Sequence, residues 1–313
     1  MARPATTVLV LLVLAGSAAA FAVSEGLKVQ KADITAVHIG KVVGPDCNCT
    51  TDRVGIGFRL TRSDRLTISI VDARGVSVRT LVASKQFARG KHHFTWNGRT
   101  AVGAIVPEGT YEPRIRLHRA GKTLVLPNPI RVDTTPPRIA PISVRPRVIS
   151  PDGDGRSDVL HVRYRINEHA HALLFVNGIL RARTKFERTR DTVAWYGKVG
   201  GQALPPGRYR LALAAVDLAG NRSRPISAGT VTIRYVELPG LPLSAAPHAR
   251  VVVIVSTDAR RVHWLLHRRG EVVSGGSSPR RIVLRAPGKT GRYRLVVSAV
   301  GHSAQGLLIV RKL

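Results

Sequence analysis

From Val54 onward the chain alternates apolar and polar side chains. Ile56, Phe58 and Leu60 face one way and Leu66, Ile68 and Ile70 repeat the spacing, the period of two that marks a half-buried strand. Val162, Tyr164 and Ile166 take the same slots further along. Tyr209, Leu211, Leu213 and Ala215, then Tyr293, Leu295, Val297 and Ala299, outline two more strands with one apolar face. Asp72-Ala-Arg-Gly75 reads as a turn, and Asn177-Gly178 after Ala172–Val176 is a type I′ hairpin signal. Helical periodicity is missing from this stretch, so the pattern predicts an all-β chain.

The strands recur in blocks. Residues 45–60, PDCNCTTDRVGIGFRL, align without a gap on residues 151–166, PDGDGRSDVLHVRYRI. Each block later reaches a second shared signature: Trp96-Asn-Gly98 with Pro107-Glu-Gly109-Thr-Tyr111, and Trp195-Tyr-Gly197 with Pro206-Gly207-Arg-Tyr209. A third, fainter copy survives as Gly291-Arg-Tyr293. Repeated units of about one hundred residues constrain architecture far more than chemistry. Trp96 and Trp195 are large enough to bridge two sheets. Gly98 and Gly197 permit the turn after each Trp, while Pro107 or Pro206 and the glycine that comes next (Gly109, Gly207) aim Tyr111 or Tyr209 inward.

Turn residues cluster at two breaks. Asp133-Thr-Thr-Pro-Pro137, running on through Pro141 and Pro146, reads as a stiff, extended linker, and a second break lies at Leu238-Pro-Gly-Leu-Pro242 and ends near Pro247. These place immunoglobulin-like β-sandwich domains at 34–133 and 134–236 and a more basic one at 237–313. Ahead of them, Met1-Ala-Arg3 leads into an apolar run up to Val23. Residues 1–24 are therefore expected to be a signal peptide or an uncleaved membrane anchor, since Ala5 to Val23 spans about 19 residues, near the minimum for a membrane-spanning helix. Either form exports the β domains, to a membrane-anchored, secreted or cell-wall location.

The pattern Phe94-Thr-Trp96-Asn-Gly98, Gly103 and Val106-Pro-Glu-Gly109-Thr-Tyr111 resembles the immunoglobulin-like domain of the FlgD family, the flagellar hook-capping proteins. Asp217-Leu-Ala-Gly-Asn221 and Asp133-Thr-Thr-Pro-Pro137 are similar to segments of tandem bacterial Ig-like repeats. The likeness covers residues 41–235 well and 241–313 weakly, and the hook-assembly region of FlgD is absent from the sequence. The resemblance implies a fold with a spacer or adhesion use, not an activity.

Candidate chemistry is sparse. In Asp152-Gly-Asp154-Gly-Arg-Ser-Asp158, three carboxylates separated by glycines have the spacing to fold around a hard cation such as Ca²⁺. The first block keeps oxygen donors at the same places, Asp46, Asn48 and Asp52. Asp and Asn also cap turns through their own backbone, so a turn-forming role stands beside a structural Ca²⁺ role at both loops. Cys47 and Cys49 are placed for a small-ring disulfide in an exported chain, or stand as bystander thiols. His92-His93, His169-Ala-His171 and His263-Trp-Leu-Leu-His267 lack an evident third ligand. Pro287-Gly-Lys-Thr290 has Val283 where a phosphate loop needs its first Gly and reads as a hairpin turn. No GxSxG, HExxH, SxxK or CxxC occurs, so no enzyme and no cofactor beyond structural Ca²⁺ is expected.

Charge adds one feature. The 313 residues carry 49 Lys and Arg against 19 Asp and Glu, a formal charge of +30. Residues 241–313 hold only Asp258 and Glu271 as acids. A charge of this size favours polyanions, and it also fits basic residues spread over solvated strand faces. The expected function is a non-catalytic envelope protein that spaces, scaffolds or binds at the cell surface. Its partners would be envelope components, other surface proteins or acidic polymers, without specific nucleic acid. The alternatives are polyanion or anionic-membrane binding through the C-terminal domain, and an accessory role in a secreted enzyme system.

Overall fold

The computed structural model describes residue 13, residues 15–17 and residues 32–312. The expected signal or anchor at 1–24 lies almost wholly outside the described residues; among them, no helix is long and apolar enough to cross a membrane. From Asp33 on, the described chain is β-structure and turns, and it divides at Thr134 into two compact units.

The first unit contains β1 (Ile34–Ile39), β2 (Val42–Val43), β3 (Val54–Leu60), β4 (Asp64–Asp72), β5 (Ser77–Phe87), β6 (Gly90–Trp96), β7 (Gly109–Leu117), β8 (Lys122–Val125) and β9 (Ile130–Val132). One sheet has the order β1-β3-β6. The other runs β2-β9-β7-β4-β5, with β8 paired to β7. Ile56, Phe58 and Leu60 on the first sheet close over Leu66, Ile68, Ile70, Ile115 and Leu117 on the second, all buried. The outward residues of β3 are Gly55, Gly57 and Arg59, so the alternation in the sequence is the alternation of the two faces.

The second unit begins with β10 (Ile139–Arg145), β11 (Val148–Ile149), β12 (Leu160–Ile166), β13 (Ala170–Val176), β14 (Ile179–Arg183), β15 (Arg190–Trp195), β16 (Lys198–Val199), β17 (Gln202–Ala203), β18 (Gly207–Asp217) and β19 (Ile226–Ile233). It repeats the plan of the first, with β10-β12-β15 facing β11-β19-β18-β13-β14 across a core that includes Tyr164, Leu174, Leu213 and Trp195. The Asn177-Gly178 turn between β13 and β14 has φ of +50° and +83°, both positive as a type I′ turn requires.

The same unit continues through β20 (Leu243–Ala245), β21 (Arg250–Ile254), β22 (Val262–Arg268), β23 (Glu271–Ser278), β24 (Arg281–Arg285), β25 (Gly291–Ala299) and β26 (His302–Val310). Here β21 pairs β24, and the larger sheet runs β20-β26-β25-β22-β23 around its own core, built on Val262, Leu266, Ile282, Tyr293 and Leu295. In all three cores a short strand pairs in parallel with the last strand: β2 with β9, β11 with β19, β20 with β26. Within the second unit the Tyr235 and His302 rings stack at 3.7 Å, tying the end of the middle core to the last one.

Three expectations change. The expected linker stops short of Pro141, because Ile139–Arg145 is a paired strand whose register slips between Pro141 and Ser143. Proline has no N–H to give the ladder, and an edge strand with a bulge is where a sheet tolerates that loss. The second break likewise contains β20, seated on β26. Finally, Pro287–Thr290 is not a hairpin turn: it joins β24 to β25, which belong to different sheets.

Candidate functional site

Each copy of the repeated loop is fixed to the core by one dry contact. Gly98 and Gly197 follow their tryptophans with φ of +68° and +64°. A Cβ on Gly197 would sit 2.8 Å from Cγ of Pro151, and Gly98 packs in the same way on Pro45. The proline that opens each loop is thus seated on the backbone just past the Trp. Trp96 packs edge-on against Tyr111 at 5.3 Å and donates its Nε1–H to Arg99 O at 3.0 Å. Trp195 meets Tyr209 at 6.4 Å, but its Nε1 is buried without a partner. Tyr209 is half-buried, whereas Tyr111 and Tyr293 are buried.

Each of these tyrosines reaches back four residues. The Tyr111 hydroxyl donates to Pro107 O at 2.7 Å, Tyr209 to Pro205 O at 2.8 Å and Tyr293 to Lys289 O at 2.7 Å, the corner that fixes the start of this strand in immunoglobulin-like sandwiches. The glycine two residues before each Tyr has φ of +154°, +159° and +146°, at Gly109, Gly207 and Gly291. These residues are architectural, and they leave the loop between the fixed points free to differ.

In the first copy the loop is braced covalently. Cys47 and Cys49 form a disulfide, with Cys49 Sγ 3.0 Å from Thr51 Oγ1. Asp46 pairs with Arg99 at 2.6 Å, Asp52 pairs with Arg53 at 3.2 Å, and Asn48 sits at φ +47° in the turn. The two carboxylates of this copy therefore pair with arginines.

In the second copy the loop folds around its own carboxylates. Asp158 accepts from Gly153 N and Gly155 N at 2.8 and 2.7 Å. Asp152 accepts from Asp154 N at 3.2 Å and from the buried Ser150 hydroxyl at 2.9 Å, and Asp154 from Arg156 N at 2.8 Å. One oxygen from each of Asp152, Asp154 and Asp158 lies within 4.8 Å of the others.

A fourth carboxylate approaches from the last core. Asp258 follows β21, and a cavity of about 200 Å³ is lined by Ser150, Ser157, Thr257, Asp258, Arg234 and Arg280 among others. Arg156 Nη1 donates to the Asp258 backbone oxygen at 3.4 Å. Both Asp258 carboxylate oxygens are buried and have no hydrogen-bond partner among the described residues. Burial foremost, then the neighbouring charges of Asp152 and Asp154, pushes the Asp258 carboxyl above its ordinary range. Sequence reasoning passed over Asp258 because it stands some hundred residues from the loop, with no spacing to betray it.

Of the histidines, His92 and His93 lie on the edge strand β6, whereas His171 on β13 and His263 and His267 on β22 lie on strands flanked on both sides. His171 bonds Thr184 O at 2.8 Å and Glu187 at 3.1 Å, and His169 contacts Glu187 O at 3.2 Å. Glu187 is a partner the sequence did not suggest. His92 bonds Ala88 O, and His267 contacts Gly270 O. Asp217 and Asn221, both buried, close a turn through bonds of 2.9 and 3.0 Å.

Basic residues oppose one another on outer strand faces. Arg59 stands across from Lys91, Arg165 from Arg190 and Arg250 from Arg285. All six are exposed and none has an ion pair among the described residues. Like charges directly opposite across a strand pair destabilise it. Beside Arg250 and Arg285, the same face shows Ile254, Arg281 and Val283 to solvent.

Residues 48–120 match the FlgD Ig-like domain family. The basal-body rod modification protein FlgD of Salmonella typhimurium is 35% identical over 92 residues, 29% of this chain and 38% of that protein. FlgD of Escherichia coli K12 is 32% identical over 83 residues, 26% of this chain and 36% of that protein. The match thus spans little more than a third of the length of these relatives. Among solved structures, the fibronectin(III)-like modules of Clostridium thermocellum CbhA are similar with a TM-score of 0.33 and 13% identity, covering 63% of this chain and 92% of that one. The titin domains I67–I69 give a TM-score of 0.29, 13% identity and coverage of 88% and 96%.

Proposed function

We propose that this chain is a non-catalytic binding and scaffold module of the bacterial cell envelope, read as Ig-like domains at 34–133, 134–236 and 237–313 behind an exported or anchored N-terminus. The observation that carries this reading is the division of labour within the repeats. The Trp, Gly and Tyr positions that recur build the sandwiches, and the polar residues between them close turns or pair with arginines. The FlgD-type match at 48–120 supports it, because such domains present surfaces rather than reactions. The full chain, added to envelope preparations from its own host, should be retained by a discrete set of surface components. Turnover of wall polymer or peptide in a broad substrate panel would defeat this reading.

A second reading is favoured by the charge of the last third. There, 13 basic residues stand against two acids after residue 241, and Arg250 and Arg285 are held face to face. An acidic polymer or anionic membrane laid on this face would relieve that repulsion. Binding of the full chain to vesicles containing anionic lipid, or to a soluble polyglutamate, should weaken steeply with added salt. Retention that ignores salt would sink this second reading.

A further inference from the structure

We propose that the outer edge of β21 is a docking site for an extended segment of an acidic protein, which adds as a strand beside Arg250–Ile254 with its carboxylates on the Arg250 face.

The last core lacks a strand that the other two have. β1 pairs along β3 from Ile34–Leu60 to Ile39–Ile56, and β10 along β12 from Ile139–Ile166 to Arg145–His161. Each is the third strand of its sheet, whereas the matching sheet of the last core is β21 and β24 alone among the described residues. One position of the missing strand survives. Glu237 N donates to Ser256 O at 3.0 Å and Ser256 N to Glu237 O at 2.9 Å, just past the end of β21. Leu238-Pro-Gly-Leu-Pro242 then leads to β20 on the other sheet. A proline has no N–H with which to continue a ladder, and β21 is left with one bare side.

The bonds on the inner side fix which groups are free. Val255 N donates to Arg280 O and Ala286 N to Ala249 O, both at 2.8 Å, so the odd-numbered residues of β21 turn their N–H and C=O toward β24. Arg250, Val252 and Ile254 share the direction of Ser256 and turn theirs outward. None of the three has a backbone partner on that side among the described residues. A row of unpaired backbone donors and acceptors is a template for another strand, and an extended peptide that adds there gains main-chain hydrogen bonds.

The side chains state the partner's chemistry. Opposite Arg250, Val252 and Ile254 stand Arg285, Val283 and Arg281, so three exposed arginines surround two valines on this face. The residue that keeps its place in the missing strand, Glu237, is an acid. A strand that alternates acidic and aliphatic residues would set its carboxylates beside the arginines. Its aliphatic side chains would take the opposite face, where β1 and β10 bury Ile34, Ile39 and Ile139. A second copy of this chain fits badly, because pairing β21 with β21 gathers the arginines of both copies. Only the sign of the partner's charge rests on the polyanion reading; the backbone pairing does not, and the two can fail separately.

The probe is a short capped peptide alternating Glu with Val, labelled and titrated into the full chain by fluorescence anisotropy. A peptide of the same composition in block order carries equal charge. The alternating peptide should bind at least about tenfold tighter, and it should slow amide hydrogen exchange at Arg250, Val252 and Ile254. Val252→Pro removes an outward N–H and spares the β21–β24 bonds, a position a sheet edge tolerates; it should weaken binding at least about tenfold. Val283→Pro makes the same change on the outer side of β24 and should leave binding as it was. Without altering the chain, N-methylation of the peptide's Glu residues, which would lie opposite Arg250, Val252 and Ile254, should abolish binding, whereas N-methylation of its Val residues should not. Equal binding of the alternating and block peptides, or binding indifferent to Val252→Pro and to the N-methyl groups, overturns strand addition and leaves the polyanion reading standing. Absence of peptide binding up to about 1 mM also overturns it, and the polyanion reading falls with it only if anionic vesicles are ignored too. A dimer of the full chain that Val252→Pro dissolves would give the edge to a second copy and likewise overturn the acidic partner.

Discussion

The Tyr293 hydroxyl lies 2.7 Å from the backbone oxygen of Lys289, the same four-residue reach that Tyr111 makes to Pro107. Little else in the sequence of the last third resembles the first. The corner therefore marks a shared plan where side-chain likeness has faded. Tyr293→Phe should remove about 1 kcal/mol of stability, the net value of one such bond. Tyr209→Phe should cost less, because its bond is exposed to water. Urea unfolding of the two single variants would rank them.

Gly197→Ala should destabilise by more than Gly75→Ala. Both positions have positive φ, but only Gly197 also meets Pro151, whereas a Cβ on Gly75 meets nothing within 4 Å. The left-handed backbone alone costs a non-glycine residue about 1–2 kcal/mol, and the clash adds to it. Equal losses in urea midpoint would refute the Pro–Gly contact as an anchor.

The Cys47–Cys49 ring closes a very short loop, so chain entropy gives it less than about 2 kcal/mol. The double Cys→Ser variant should fold and melt only slightly below the wild type. A collapse of the first unit on reduction would show that the brace carries far more.

Asp72 accepts from Arg74 N and Val76 N at 3.0 and 2.9 Å in the β4–β5 turn, and the Val76 bond foremost holds its carboxyl below the usual range. A group whose folded pKa is depressed stabilises the fold above its unfolded pKa and loses that contribution as pH falls through the folded value. Asp72→Asn should therefore be less stable than the wild type at neutral pH, and the gap should close in acid. A gap independent of pH would exclude Asp72 ionisation as its source.

Much of this architecture is legible in the residues themselves. The alternation in 54–60 and 160–166 gives the strands and their buried faces, because a sandwich buries one side of each strand. Trp96, Trp195 and the tyrosines announce the sheet-to-sheet contacts by size alone. What stays hidden is long-range. Pro141 looks like linker because its strand role depends on pairing with β12, and Glu187 comes to His171 only through the fold. Asp258 reads as one acid in a basic stretch until the second unit brings it to the 152–158 loop.

Arg285→Ala should leave stability unchanged or raise it by a few tenths of a kcal/mol, since it removes one of two opposed like charges. The same change should weaken binding to anionic vesicles and flatten its salt dependence. A clear fall in melting temperature would mean that the pair is compensated from elsewhere.

The seat of Pro45 on Gly98, and of Pro151 on Gly197, separates inheritance from invention. Between that clamp and the first core strand, the segment can be rewritten without disturbing the sandwich. One duplicate has settled on a covalent knot and the other on a knot of carboxylates. A designer could exchange residues 46–52 and 152–158 between the copies and expect both frames to keep their shape, with sensitivity to reductant moving to whichever frame receives the cysteines.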